Sequence, residues 1–275
     1  MRKFSLLATA LAAALSVSNQ ASAADEPASP HTFTGNVGLF SQYVFRGLTQ
    51  TNEEVALQGG FDYSHASGVY VGLWGSNIAW LRDNGSYKAG GSAEIDIYGG
   101  YKGAVGDFTY DVGLLQYWYP GDTTAGFVKA DTTEAYIAGG WKWITLKYSN
   151  VISKKAFGVR DARGTDYWDL SVAVPIGESG VTVGAHYGIQ KYKGSDRALP
   201  LTESNDSAFS YDDWRVSVAY DLGKLGPKLA GTEVGLIYTD TSSASDFGYG
   251  STKQGGVYPK NIAQDQTTVY IKRTF

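Results

Sequence analysis

The sequence predicts an all-β fold: a closed, transmembrane, antiparallel up-and-down β-barrel of about twelve strands in a single domain. Three observations predict it. Segments of roughly ten residues, the length at which a tilted strand crosses a bilayer, alternate apolar and polar side chains with a period of two. Long polar loops and short turns alternate between those segments, as they do in outer-membrane barrels. No run reaches the roughly 18 apolar residues of a membrane helix.

The N-terminus reads as a cleaved secretory signal over 1–23. Arg2 and Lys3 form a charged start, Phe4 to Val17 an apolar stretch, and Ala21-Ser22-Ala23 a small-residue cleavage site. Residues 24–32 carry Pro27 and Pro30 without any periodicity and read as a flexible periplasmic leader, leaving 33–275 for the barrel.

The first strand sets the pattern. Val37, Leu39, Tyr43 and Phe45 share one parity and Asn36, Gly38, Gln42 and Arg46 the other, with Ser41 interrupting the apolar file. After a polar loop at Thr49 to Glu53, a second strand sets Val55, Leu57, Phe61 and Tyr63 against Glu54, Gln58, Asp62 and Ser64. A tight turn at His65 to Gly68 leads to a third, with Val69, Val71 and Leu73 opposite Tyr70, Gly72 and Trp74. The fourth opposes Ala93, Ile95 and Ile97 to Glu94, Asp96 and Tyr98, and a connection at Lys102 to Asp107 leads to the fifth, built on Phe108, Tyr110, Val112 and Leu114. Ala135 and Ile137 mark the sixth, and Ile144, Leu146 and Tyr148 the seventh, with a turn inside Gly139 to Trp143. Trp168 to Val174 and Val181 to Ile189 alternate as the eighth and ninth around a Gly177 to Gly180 turn. The last three centre on Trp214 to Tyr220, Val234 to Tyr238, and Val269 to Phe275. Closure follows from the solvent, because an open sheet edge in lipid leaves unsatisfied backbone groups.

Composition agrees. The 275 residues include 35 Gly, 20 Tyr and no Cys, which excludes disulfides and a cysteine-linked lipid anchor. A mean hydropathy of −0.21 is what alternating faces average to. Losing Arg2 and Lys3 with the signal takes the formal charge from −4 to −6, which argues against nucleic-acid binding. Tyr43, Phe45, Trp118, Tyr119, Trp168, Trp214, Tyr220 and Phe275 fall near strand ends, where barrels place interfacial aromatic girdles. Arg273 shares the outward parity of Phe275 and has to snorkel to the interface.

Gly35 to Gln50, with its Tyr43-x-Phe45-Arg46-Gly47-x-x-Gln50 core, and Gly59 to Asn77 resemble the Gcw_chp family of proteobacterial outer-membrane proteins. The resemblance implies location and fold, and a solute-channel role, but carries over no functional residue. Separately from the resemblance, an alternating last strand that ends in Phe275 is the kind of segment the outer-membrane assembly machinery reads.

Little in the chain looks catalytic. Of three histidines, His31 falls in the leader, His65 in a turn, and only His186 on a lumen parity, with no G-x-S-x-G elbow to accompany it. Glu94 and Asp96 stand on one face and suit a cation or a paired-carboxylate chemistry, or are simply a solvated lumen wall. Asp83-Asn84-Gly85 is first a turn signal. No metal, cofactor or catalytic set is expected.

The candidate lumen and solute contacts are Arg46, Asp62, Trp74, Glu94, Asp96, Tyr98, Asp111, Glu134, Lys147, Asp169, His186 and Arg215. Glu54, Asp213 and Glu233 add inward or rim acids, and Lys272 a base. The acidic surplus favours cations. Twelve strands lie between filled and open barrels, so the channel is expected to be narrow, constricted by Tyr70, Trp74, Tyr98, Tyr136 and Tyr192 or by an infolded loop. Arg46 is the leading candidate for a constriction charge, with a salt bridge to a loop carboxylate as its structural alternative. The expected partners are outer-membrane lipid and small solutes. The alternatives to a channel are a non-conducting barrel that presents loops, or an outer-membrane hydrolase using His186.

Overall fold

The computed structural model describes residues 29–196 and 204–275. The signal segment and most of the leader expected from the sequence lie outside the described residues.

The wall starts with β1 (His31–Phe40). Two short strands, β2 (Val44–Phe45) and β3 (Leu48–Thr49), then pair only with each other. β4 (Ala56–His65) and β5 (Val69–Asn77) return to the wall. Beyond the helical turn α1 (Trp80–Asp83), β6 (Tyr87–Gly90) stands outside the wall. β7 (Ala93–Val105) and β8 (Phe108–Trp118) are wall strands, and β9 (Gly121–Thr123) pairs with β6. The wall continues with β10 (Thr132–Trp141), β11 (Ile144–Val151), β12 (Asp166–Pro175) and β13 (Val181–Lys191). Helix α2 (Asn205–Phe209) precedes β14 (Tyr211–Asp221) and β15 (Thr232–Ser242), and α3 (Asp246–Tyr249) precedes β16 (Gln266–Thr274).

The twelve wall strands close in the order β1-β16-β15-β14-β13-β12-β11-β10-β8-β7-β5-β4, antiparallel throughout. Closure is completed past the last named pair, where Gly35 and Phe275 exchange backbone hydrogen bonds of 2.8 and 2.9 Å. The alternation has the expected consequence for solvent exposure. Phe61, Leu73, Ile97, Leu114, Leu146, Val216 and Val269 face outward, about half exposed, while Asp62, Glu94, Asp96 and Glu134 are buried inside. So wide an exposed apolar surface is the mark of a lipid-facing belt.

The largest apolar core lies over one mouth of the barrel. Tyr43, Trp80, Leu81, Tyr87, Tyr119, Tyr249, Tyr258 and Ile262 pack there, drawn mostly from the long loops.

Several expectations are corrected. β1 ends at Phe40, because Ser41 closes the pairing with Val269 and the chain then turns into the barrel. Tyr43 and Tyr119 are therefore buried in the mouth core and Phe45 packs against it, so these three leave the outer girdle, while Trp118, Trp168 and Phe275 remain exposed. Trp141 and Trp143 join Phe275 at the short-turn end, opposite Trp118 and Trp168. Glu54 is exposed in the first loop, and Tyr192 lies beyond β13 in a loop cluster with Val151 and Val159. β7 runs on through Lys102, which faces the lumen 5.0 Å from the Tyr70 ring centroid. His31 opens β1 and contacts the Tyr63 hydroxyl at 2.9 Å.

Candidate functional site

The site is organised by the β2–β3 hairpin. Phe45 pairs with Leu48, leaving Arg46-Gly47 as a two-residue turn, and both have positive φ, +47° and +79°. That is the signature of a type I′ turn, whose twist suits tight hairpins. Glycine is at home there. A Cβ on Gly47 would in addition lie 2.6 Å from Thr241 Cγ2 and 2.7 Å from Asp213 Cβ. Arginine is not at home there, and the left-handed conformation costs a residue with a Cβ about 1–2 kcal/mol.

The contacts of the guanidinium explain why that cost is borne. Arg46 donates from Nη1 to Glu134 Oε1 at 3.0 Å and from Nη2 to Glu134 Oε2 at 2.8 Å, and a further Nη1 bond reaches Gln190 Oε1 at 2.9 Å. Its carbon stands 4.1 Å from the Tyr167 ring centroid and 4.8 Å from that of Phe45. The side chains of the pair are only 7% and 2% exposed. A two-pronged buried pair with further hydrogen bonds to Gln190 and Tyr117 is the geometry in which attraction can offset desolvation. The base of the hairpin joins β1 and β4, whereas Glu134 on β10 and Gln190 on β13 flank the β11–β12 pair, diametrically across the closed ring. The hairpin therefore crosses the mouth of the lumen.

The loops hold it there. Gln50 N donates to Tyr43 O, Thr49 N to Ile262 O, and Ala79 N to Gln50 O, at 2.7 to 2.9 Å. The Tyr43 hydroxyl donates to Glu94 Oε1 at 2.8 Å. The Tyr43-x-Phe45-Arg46-Gly47-x-x-Gln50 core is thus the infolded hairpin itself.

Deeper polar groups line the wall in small sets. Tyr98 donates to Asp62 at 2.5 Å and Tyr70 to Asp111 at 2.6 Å, and the Tyr70 and Tyr136 hydroxyls touch. Lys147 lies 4.1 Å from the Tyr136 ring centroid. His186 faces Asp169 from Nδ1 at 3.1 Å and Asp213 from Nε2 at 2.9 Å, and Tyr167 also donates to Asp213, at 2.9 Å. Ser171 Oγ donates to Asp169 at 2.5 Å and stands 3.3 Å from His186 Nδ1. An imidazole with a carboxylate before each nitrogen suits a ring that donates from both, and it leaves Ser171 without a base of its own. Glu233 takes Lys272 and Tyr270 at 3.0 and 2.5 Å.

All twelve sequence candidates therefore lie in the lumen, in separate groups. Arg46 and Glu134 meet, Asp169 meets His186, and Asp62 meets Tyr98. Glu94 and Asp96 share a face with Trp74, and Asp111 bonds Tyr70. Arg215 stands beside His186 in the β13–β14 register and makes no hydrogen bond or ion pair among the described residues. The expected loop carboxylate for Arg46 is instead Glu134 of the wall. Sequence reasoning missed Gln190, Tyr167 and Tyr117 as its neighbours; Tyr117 donates to Glu134 Oε2 at 3.3 Å. The lumen parity of Gln190 and Tyr167 was the available signal.

Comparison with solved structures gives the fold. A KdgM porin in complex with disordered oligogalacturonate is 8% identical with a TM-score of 0.50, the match covering 88% of this chain and 99% of that one. A NanC porin structure is 12% identical with a TM-score of 0.47, covering 89% and 99%. No curated protein matches the chain. Residues 24–275 match the model of a family described as "Bacterial protein of unknown function (Gcw_chp)", and the chain belongs to that family.

Proposed function

We propose that the protein is a porin-like channel of the bacterial outer membrane, through which small solutes diffuse passively along a narrow, acid-leaning lumen. The observation that carries this reading is the infolded hairpin. Its tip does not cork the barrel with apolar side chains. It presents a charged and hydrogen-bonded cluster, Arg46, Glu134 and Gln190, across a lumen otherwise lined by Tyr, Asp, Glu and Lys. A constriction built of fixed charges at close quarters selects by charge and size.

The lumen's carboxylates, at Asp62, Glu94, Asp96, Asp111, Glu134, Asp169, Asp213 and Glu233, outnumber its bases at Arg46, Lys102, Lys147, Arg215 and Lys272. That surplus favours cations. The short turns, the start of β1 and the end of β16 share one end of the barrel, which we assign to the periplasm together with both termini, with the long loops outside. The terminal strand ending at Phe275 is the segment offered to the assembly machinery, and outer-membrane lipid covers the apolar belt. Neither cofactor nor nucleic acid takes part.

A second reading, a non-conducting barrel that presents its loops, draws on the packed apolar core over the mouth. The two separate in a planar bilayer holding the refolded protein under a salt gradient. Discrete current steps with a cation-selective reversal potential support the channel. A folded barrel that stays silent turns the assignment to loop presentation.

A further inference from the structure

Glu94 and Asp96 project into the lumen from β7, beside the hairpin, and they are 1% and 7% exposed. Glu94 Oε1 accepts from Tyr43, yet Glu94 Oε2 and Asp96 Oδ1 have no hydrogen-bond partner among the described residues. Buried carboxylate oxygens without donors are expensive, and native proteins rarely leave them so. Arg46, whose charge also reaches Glu94, is committed by its hydrogen bonds to Glu134 and Gln190, and no base forms an ion pair with Glu94 or Asp96 among the described residues.

Aromatic rings frame the same spot. Asp96 is the direct register partner of Trp74 on β5 and of Tyr117 on β8. Tyr43 meets Trp74 edge-on with ring centroids 5.4 Å apart, and the Tyr119 hydroxyl faces Glu94. Asp96 Oδ1 without a donor, Glu94 Oε2 with only the nearby Tyr119 hydroxyl, a local surplus of negative charge and a frame of electron-rich rings are together the recognition chemistry of an organic ammonium ion. The rings favour its alkyl and cationic surface, and the oxygens require its N–H groups.

We propose that Glu94 and Asp96, framed by Tyr43, Trp74 and Tyr117, bind the primary ammonium group of a small organic cation. The assignment rests on the lumen being a solute path and names the class of solute that path accepts. Because Tyr43 belongs to the infolded segment, an occupant of this site touches the constriction directly.

The test is calorimetric titration of the refolded full chain in detergent with butylammonium chloride, using 1-butanol as the uncharged counterpart and sodium chloride as the ionic control. Saturable binding of butylammonium alone is expected, weakened roughly tenfold or more in Asp96→Asn and in Glu94→Gln through loss of a charge-assisted bond. Trp74→Phe, which keeps a ring, should bind within a few-fold of the native chain. Heat-dependent gel mobility checks that each variant is folded. Equal heats for butylammonium and butanol, or native affinity in folded Asp96→Asn, overturn the proposal. An Asp96→Asn barrel that melts higher while the native chain ignores butylammonium shows two acids sharing a proton instead. None of these readouts needs a current, so a silent bilayer with intact binding refutes the channel and not the site.

Discussion

Arg46 and Glu134 stand 88 positions apart in the chain and meet in a buried, two-pronged ion pair that ties an infolded loop to the far wall of the barrel. The pair joins a residue in a costly backbone conformation to a carboxylate that only barrel closure brings within reach. Several consequences can be measured.

Glu134→Ala leaves a guanidinium buried without its counter-charge, a change worth about 3–5 kcal/mol. The loss should fall on the hairpin and spare the wall, whose ladders do not depend on it. Hydrogen exchange at residues 44–49 should accelerate strongly while β7, β8 and β10 stay protected. Uniform acceleration along the wall would show that the pair holds the barrel instead.

Gly47→Ala puts a Cβ against Thr241 and Asp213 at a φ of +79°. The cost should be about 1–3 kcal/mol, read as a lower urea midpoint together with faster proteolysis of the first loop. Gly139→Ala, where a Cβ meets nothing within 4 Å, is the matched control and should behave as the native chain.

His186→Ala leaves Asp169 and Asp213 facing one another without the ring that bridges them. Removing the bridging partner of a buried charged set costs about 3–5 kcal/mol, so the variant should unfold at lower denaturant. Neither native nor variant chain should turn over a chromogenic ester. Turnover by the native chain that vanishes in His186→Ala would restore the hydrolase reading.

Deleting Phe275 removes both backbone hydrogen bonds that link it to Gly35 at the seam. The temperature at which gel mobility shifts should fall clearly. Phe275→Ala retains those bonds and should lower it much less.

The wall was legible because its chemistry is local. Along Glu94-Ile95-Asp96-Ile97-Tyr98 every second side chain changes solvent, and a period of two can be read without knowing any partner. The same habit misled at Tyr43 and Phe45. They continue the parity of Val37 and Leu39, but they do so in a hairpin that packs beneath an aromatic roof rather than against lipid. Apolar periodicity states that a face is buried from water and does not say which apolar phase covers it. The partners of Arg46 were hidden for another reason: Glu134, Gln190 and Tyr167 sit on three strands whose neighbourhood exists only once the ring has closed. Arg46-Gly47 did carry a local trace of the turn, since glycine follows the arginine where a type I′ turn wants it.

The most direct test of the account is the single-channel current of the native chain beside that of Arg46→Ala in the same bilayer and salt. If the hairpin tip sets the constriction, the native protein conducts in small cation-selective steps. Removing the guanidinium, and with it the tether to Glu134, enlarges those steps and deepens the cation preference. Identical steps and reversal potentials in the two proteins would contradict it and place the limiting section of the path elsewhere in the lumen.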